Sequence, residues 1–300
     1  MSQWPEKIQI TEVGPRDGLQ NQPSLISTQT KIELINALSE TGLTQIEATA
    51  FVNPTWVPQL ADADDVFAGI SKNKQVRYWG LVPNIRGWDR ALAAGVDGIA
   101  VLAAASETFC KKNTNTTIDG AIERMRPIVS QANSSDIGVR GYISCVIACP
   151  YEGKVELSKV RHIAECMLDM GICEISLGDT IGAAESEDMR KLFDALDGVL
   201  QPEDAIVHLH DTRGNALECV EEALLCGVKS FDASCGGLGG CPYALGAAGN
   251  VATEDLVDFA HNLGIETGVD LDKLAVASEI IESALGFPLQ SKTYRALQDS

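Results

Sequence analysis

Residues 206–217 read IVHLHDTRGNAL. Ile206, Val207 and Leu209 are apolar and flank His208 and His210. Two residues apart on a strand, the imidazoles project to one face. A helix-like stretch starts at Gly214. Paired histidines at the C-terminal end of a strand, with Asp211 beside them, point to a metal site. Taken alone, the His-x-His spacing fits a hydrogen-bonded pair packed inside a barrel equally well.

The segments around this stretch alternate between strand-like and helix-like. IQITEV (8–13), QIEATAF (45–51), VRYWGLV (76–82), GIAVLAA (98–104), GVRGYISCVIA (138–148), ICEISLGD (172–179), AIVHLH (205–210) and VKSFDAS (228–234) read as strands. Helical spacing follows each one: around 28–41, 58–71, 118–132 and 186–197, from Asn84 to the stop at Gly95, from Ser158 to the stop at Gly171, and up to Cys226. Thr253 caps a helix that Gly264 stops, and a last helix covers about 271–285. The polar stretch SETFCKKNTNTTID reads as a long loop and CPYEGK as a turn. About eight strands, each followed by a helix, demand a parallel sheet and fit a closed (β/α)8 TIM barrel. The last helix is then an additional C-terminal appendage. An open doubly wound sheet is the alternative. No Pro-, Gly- or Ser-rich linker and no low-complexity run interrupts the chain, so 1–300 reads as a single catalytic domain.

Apolar residues make up 45% of the chain and aromatic ones 5%, which suits close helix-on-strand packing. The formal charge of −19 argues against nucleic acid or an anionic membrane as a partner. An anionic substrate then needs a local cationic pocket. Nine cysteines, an odd number without a compact framework, indicate reduced thiols. The start, MSQWPEKIQI, lacks the basic and apolar regions of a signal peptide. No apolar run approaches the ~18–20 residues of a membrane span. The expectation is a soluble cytoplasmic protein.

A barrel gathers its chemistry at the C-terminal ends of its strands. EVGPRDGLQNQP (12–23) places Arg16 and Asp17 there, and the second strand carries Glu47. The sixth strand ends in Asp179 and Thr180, and the seventh in His208 and His210. The eighth leads into GLGGCPYALGAAGN (237–250), with Cys241 and Asn250. Asp17, His208, His210 and Asn250 form a mixed oxygen and nitrogen ligand set, suited to Mg²⁺, Mn²⁺ or Zn²⁺. No Cys-x-x-Cys pair supports a structural zinc site. His162 and His261 fall inside helical patterns and read as surface or packing residues.

The Arg16 guanidinium cannot deprotonate near neutral pH, and its fork fits carboxylate or enolate oxygens. A structural bridge to Glu47 or Asp179 is the other reading, and the two are compatible. Cys241 stands among Gly236, Gly237, Gly239, Gly240, Gly246 and Gly249, a spacing suited to a hinged lid. A thiol on such a lid can act as acid, base or nucleophile. No Gly-Lys-Ser/Thr follows, so the loop is not a P-loop. Cys235, at the strand end, reads as structural. Lys111, Lys112 and Asn113 follow the fourth strand. They read either as a cationic patch for a phosphate-bearing tail such as that of coenzyme A, or as a solvated loop.

The segments EVGPRDGLQN, FVNPTWVPQLAD, GYISCVIACPYEGK, EISLGDTIG, HLHDTRGNAL and GLGGCPYALGAAGN resemble the 3-hydroxy-3-methylglutaryl-CoA lyase family of metal-dependent barrel lyases, over about Ile8 to Phe287. The resemblance implies cleavage of that thioester to acetyl-CoA and acetoacetate, by way of an alkoxide at the metal and a thioester enolate. It implies Asp17, His208, His210 and Asn250 as ligands of Mg²⁺ or Mn²⁺, with no organic prosthetic group. Arg16 would stabilise the enolate, Cys241 would protonate it, Glu47 and Asp179 would complete the polar network, and His208 or Asp17 would take the hydroxyl proton. A homodimer is implied as well. A lyase for a larger branched 3-hydroxyglutaryl-CoA or for citramalyl-CoA, a Claisen-type synthase, and an acyl-CoA-binding protein without catalysis are the alternatives. The cysteine loop and the missing room for a C-terminal regulatory segment favour the lyase. Two departures stand out. Arg213 replaces the aromatic residue usual in animal mitochondrial members, and the end SKTYRALQDS has no cysteine.

Overall fold

A computed structural model describes residues 3–239 and 249–299. Eight parallel strands close into a barrel. They are β1 (Gln9–Glu12), β2 (Gln45–Ala50), β3 (Arg77–Leu81), β4 (Gly98–Ala104), β5 (Gly138–Ser144), β6 (Glu174–Asp179), β7 (Ala205–Leu209) and β8 (Ser230–Ala233). Each pairs with its neighbours in sequence, and β8 closes onto β1 through Gln9↔Ser230 and the three pairs that follow. The alternation of strands and helices in the sequence therefore has its expected outcome.

Helices surround the barrel: α1 (Thr28–Leu38), α2 (Ala63–Gly69), α3 (Ile85–Ala94), α4 (Glu107–Thr114), α5 (Ile118–Ser134), α6 (Leu157–Asp169), α7 (Ser186–Leu196), α8 (Ala216–Cys226), α9 (Thr253–Asn262), α10 (Leu271–Leu285) and α11 (Lys292–Gln298). Their starts follow local chemistry. Asn84 and Thr117 accept from Gly87 N at 3.1 Å and Gly120 N at 3.0 Å, caps worth about 1 kcal/mol each. Gly95 ends α3 in the left-handed conformation, as its position after Ala94 predicts. Leu34, Ile35 and Leu38 of α1 are fully buried against the barrel, each worth roughly 1.5–3 kcal/mol. A smaller apolar cluster, Ala50, Leu81, Ala100 and Tyr142, fills part of the barrel interior beside Leu60.

Several local expectations are corrected. The polar stretch after β4 is not a long loop: Ser106 accepts from Phe109 N at 3.1 Å and starts α4. Only Phe109 and Cys110 of that helix are buried, so its polar composition hides the helical period. The strand read over 138–148 stops at Ser144. Cys145 then takes a positive φ of 61°, and Ala148–Cys149 pairs with Gly153–Lys154 in a short hairpin. Thr253 does not cap α9. Ala252 occupies that position, and the Thr253 hydroxyl donates to Glu12 Oε2 at 2.6 Å. Two helices rather than one follow α9, and α10 is no appendage, since it packs against both α1 and α9.

Candidate metal centre and active site

Immediately after β1 the chain forms one turn of π-helix, Gly14–Gly18, in which the Val13 carbonyl accepts from Arg16, Asp17 and Gly18 N–H groups. Such turns recur at functional sites because they redirect side chains. Here the turn requires glycine: a Cβ on Gly14 would sit 2.6 Å from Glu12 Oε1 and 2.9 Å from Cys235 Sγ. The turn aims Arg16 and Asp17 into the mouth of the barrel.

His208 and His210 reach the same place from β7. Asp17, His208 and His210 each offer a ligand atom, and these lie within 4.8 Å of one another. Asp17 Oδ2 is 3.9 Å from His208 Nε2 and 3.8 Å from His210 Nε2. Asn250 arrives through backbone pairing, as Asp211 N donates to Gly249 O and Val251 N to Leu209 O, both at 2.9 Å. Its Nδ2 donates to Asp17 Oδ2 at 2.8 Å, while its Oδ1 is buried with no partner among the described residues. The same Nδ2 also donates to Leu238 O at 3.1 Å, so a half-turn of the amide that presented the oxygen would exchange both bonds for a contact with the ion. One carboxylate, two imidazoles and an amide oxygen suit a hard divalent cation. The orphaned Oδ1, a buried acceptor beside the Asp17 carboxylate, is what such an ion would satisfy.

The electrostatics agree with that use. Burial opposes ionisation of Asp17, but the charge of Arg16 and the two imidazoles outweighs it and holds the carboxyl well below its usual range. Burial pushes His210 down to about 4 against the pull of Asp17, so its ring is neutral near pH 7. Burial also works against the Arg16 cation, and Glu47 and Asp17 more than offset it. Arg16 Nε donates to Glu47 Oε2 at 2.8 Å and its NH1 to Asp17 Oδ1 at 2.6 Å. The guanidinium lies 5.2 Å from the centre of the Tyr142 ring, and the Tyr142 hydroxyl donates to the same Glu47 oxygen at 2.9 Å.

Asp179 is not part of this group. The side chains of β6 alternate, so Gly178, level with His208, faces inward and Asp179, level with Leu209, faces the helices. Its Oδ2 accepts from Ala184 N at 2.8 Å and braces the turn after the strand. Burial raises its pKa, and Arg213 is the cation that acts on it. The arrangement differs from the expected network around Arg16, which Glu47 and Asp17 hold instead.

A cavity of about 480 Å³ opens above the cluster. Arg16, Asp17, His208 and His210 line its floor, and Trp56, Asn113 and Arg124 stand on its wall and rim. Lys111 and Lys112 are exposed on α4 and are not among the lining residues; Lys112 Nζ sits 4.0 Å above the Tyr151 ring. Cys241 lies outside the described residues. Gly239 and Gly249 flank that segment in close approach: a Cβ on Gly249 would come within 2.7 Å of Gly239 Cα. The two ends of the loop therefore meet directly over Asn250.

Sequence reasoning missed a layer beneath the histidines. Arg140, Ser176 and Asp232 form a buried group in which Arg140 NH2 and Ser176 Oγ each donate to Asp232 at 2.7 Å. An arginine two residues before a tyrosine within the apolar GVRGYIS was the available signal. Glu12 and Glu254 were missed as well. Glu12 accepts from Gly14 N and Cys235 N, and Glu254 from Gly236 N and from Ser278 Oγ.

A family model described as HMGL-like matches residues 7–281. The mitochondrial hydroxymethylglutaryl-CoA lyase of Gallus gallus is 48% identical over 293 residues, covering 98% of this chain and 98% of that protein. The crystal structure of the Bacillus subtilis HMG-CoA lyase superposes with a TM-score of 0.97 at 44% identity, over 99% of this chain and 100% of that one. An HMG-CoA lyase structure from Acinetobacter baumannii in complex with coenzyme A and 3-methylmalate superposes with a TM-score of 0.92 at 37% identity, over 97% and 95%.

Proposed function

The chain belongs to the HMGL-like family, and from that membership we propose that it is a carbon–carbon lyase cleaving 3-hydroxy-3-methylglutaryl-CoA to acetyl-CoA and acetoacetate. The observation that carries this reading is the convergence of Arg16 with Asp17, His208 and His210 on the floor of one cavity. The substrate is an acyl-CoA thioester, and coenzyme A in the Acinetobacter baumannii relative supports that class.

Asp17, His208, His210 and Asn250 would hold magnesium or manganese, which supplies positive charge for oxyanion stabilisation and a template for the substrate oxygens. The chain's own side chains do the rest. His208 or Asp17 is assigned the C3 hydroxyl proton. As C3–O becomes a ketone, C2–C3 breaks, its electron pair passes to the thioester enolate, and the Arg16 guanidinium offers a fixed positive charge to the enolate oxygen. Glu47 and Asp17 fix the plane of that guanidinium before substrate arrives, so little reorganisation is needed. The Tyr142 ring packs against the same guanidinium and its hydroxyl holds Glu47 in place. Cys241 is assigned the proton that converts the enolate to acetyl-CoA. Asn113, on the cavity wall, is assigned to the coenzyme A moiety, and Lys111 and Lys112 to the approach of its phosphates. Eight free cysteines among the described residues suit a reducing compartment, and we place the protein in the cytoplasm. Among the described residues no helix is long and apolar enough to cross a membrane. Its assembly is assigned as a homodimer, which light scattering of the purified protein measures directly.

Incubation with the thioester and Mg²⁺ or Mn²⁺ tests the reaction: acetyl-CoA and acetoacetate should form in equal amounts. Turnover of citramalyl-CoA or a longer branched thioester in preference to it would overturn the substrate assignment. Cys241→Ala should abolish most turnover while coenzyme A binding persists. Unchanged turnover would remove the thiol from the mechanism.

A further inference from the structure

His208 and His210 face the same carboxylate, yet only one of them has a partner behind it. His208 Nδ1 lies 3.2 Å from Asp232 Oδ2, whereas His210 Nδ1 is buried with no partner among the described residues. Asp232 is the residue paired with His208 across β7 and β8, so the two inward side chains stand level. Its carboxylate is fully buried and engaged on both oxygens. Oδ1 accepts from Arg140 NH2 at 2.7 Å, and Oδ2 accepts from Ser176 Oγ at 2.7 Å. The four strands β5 to β8 each contribute one member of this layer.

We propose that Asp232 is a positioning residue for the site, setting the tautomer of His208. A carboxylate ion-paired with an arginine is acceptor-only, so the nitrogen facing it must carry the hydrogen. That nitrogen is Nδ1, and Nε2, on the far side of the ring, is left with its lone pair directed at the space beside Asp17. Outer carboxylates act on ligating histidines in this way, fixing ring orientation and raising basicity. Arg140 and Ser176 serve by holding Asp232, and the edge of His208 against Tyr142, with ring centres 5.9 Å apart, limits rotation of the imidazole. Among the described residues no side chain or backbone group restrains His210 Nδ1 in this way. The inference rests on the metal-site reading above for its consequence but not for its geometry.

Asp232→Asn exposes the role. Arg140 can only donate, so the amide oxygen must face it, and the amide NH₂ then points at Ser176 and at His208 Nδ1. The hydrogen of His208 is driven to Nε2, the nitrogen meant for the ion. Two measurements are decisive. Long-range ¹H–¹⁵N spectra of the metal-free wild-type protein, recorded at a pH where the imidazole is neutral, should show His208 as the Nδ1–H tautomer, and Asp232→Asn should show Nε2–H. A wild-type His208 carrying its hydrogen on Nε2 overturns the proposal without needing any variant to fold. Titration with Mn²⁺ should give a 10- to 100-fold weaker dissociation constant for Asp232→Asn, and equal affinities overturn the proposal. A wild-type protein that binds no Mn²⁺ refutes the metal reading instead, and the spectra then decide the tautomer claim by themselves.

Discussion

Asp232 and Glu254 are both buried carboxylates near the mouth of the barrel, and they are held in opposite ways. Asp232 sits against the Arg140 guanidinium, which keeps it ionised despite its burial and lowers its pKa to about 2. Glu254 is met by the hydroxyl of Ser278 and a backbone N–H of Gly236, with no cation against it among the described residues, and burial raises its pKa to about 8. Glu12, on the other side of the Cys235–Gly237 turn, is raised to about 7 for the same reason. Dipoles alone do not replace the solvation that a buried anion loses, whereas a full positive charge at contact does. The paired carboxylate lies under the histidines and must stay charged to orient one. The unpaired two anchor the root of the glycine-rich loop, where acceptor oxygens are needed but charge is not.

The largest effect should come from breaking the paired case. Arg140→Met leaves Asp232 buried with no cation, and removing one partner of such a pair typically costs about 3–5 kcal/mol. Urea denaturation at pH 7 measures it, and a loss under about 1 kcal/mol would mean that the barrel interior is wetter than the packing indicates. Adding Asp232→Asn to that variant should recover much of the loss, because no unpaired charge then remains.

The unpaired case is read as a slope with pH, about 1.4 kcal/mol per unit, and its sign is opposite to that of the paired one. Glu254 and Glu12 bind protons more tightly folded than at the usual carboxyl value of 4.5. The native state therefore holds the extra protons between about pH 4.5 and 8, and stability falls as pH rises through that window. Each group contributes a slope of up to about 1.4 kcal/mol per pH unit. Asp232 works the other way: its contribution is present above about pH 4 and is lost as pH falls toward 2. Glu254→Gln keeps an acceptor for Gly236 and removes the titration. Its denaturation midpoint should vary less between pH 5 and 8 than that of the wild type, and parallel pH curves would show that Glu254 does not titrate there.

The smallest effect belongs to a part-exposed ion pair. Arg77 and Glu174 meet at 3.4 Å at the opposite, N-terminal end of the barrel, with Arg77 half exposed. Arg77→Gln should shift stability by no more than roughly 0.5 kcal/mol, and screening by salt should reduce even that. A loss matching that of Arg140→Met would remove burial as the explanation of the difference between the two pairs.

Much of this molecule is legible along the chain. Period-2 and period-3.6 patterns mark the strands and most helices, and caps such as Asn84 and stops such as Gly95 are local events. The polar residues at strand ends are equally visible, because each is read against its own strand. The α4 helix was obscured because so few of its side chains are buried, and α11 because it is short. What a strand pattern cannot show is which face a terminal residue takes when the strand meets its neighbours. Glu47 and Asp179 look alike in sequence, yet one turns inward to Arg16 and the other outward to the Ala184 turn.

The sequence by itself determined the alternating units, the closed parallel barrel they demand, and the residue types gathered at its mouth. These follow from backbone periodicity and side-chain polarity, which act over a few residues. Only the tertiary structure decided that Asp232 stands behind His208, that Arg140 crosses 92 positions of chain to neutralise it, and that Asn250 is drawn beside Asp17 by pairing next to β7. Those contacts depend on the register between strands distant in sequence. Barrel closure sets that register, because all eight strands must satisfy both neighbours at once.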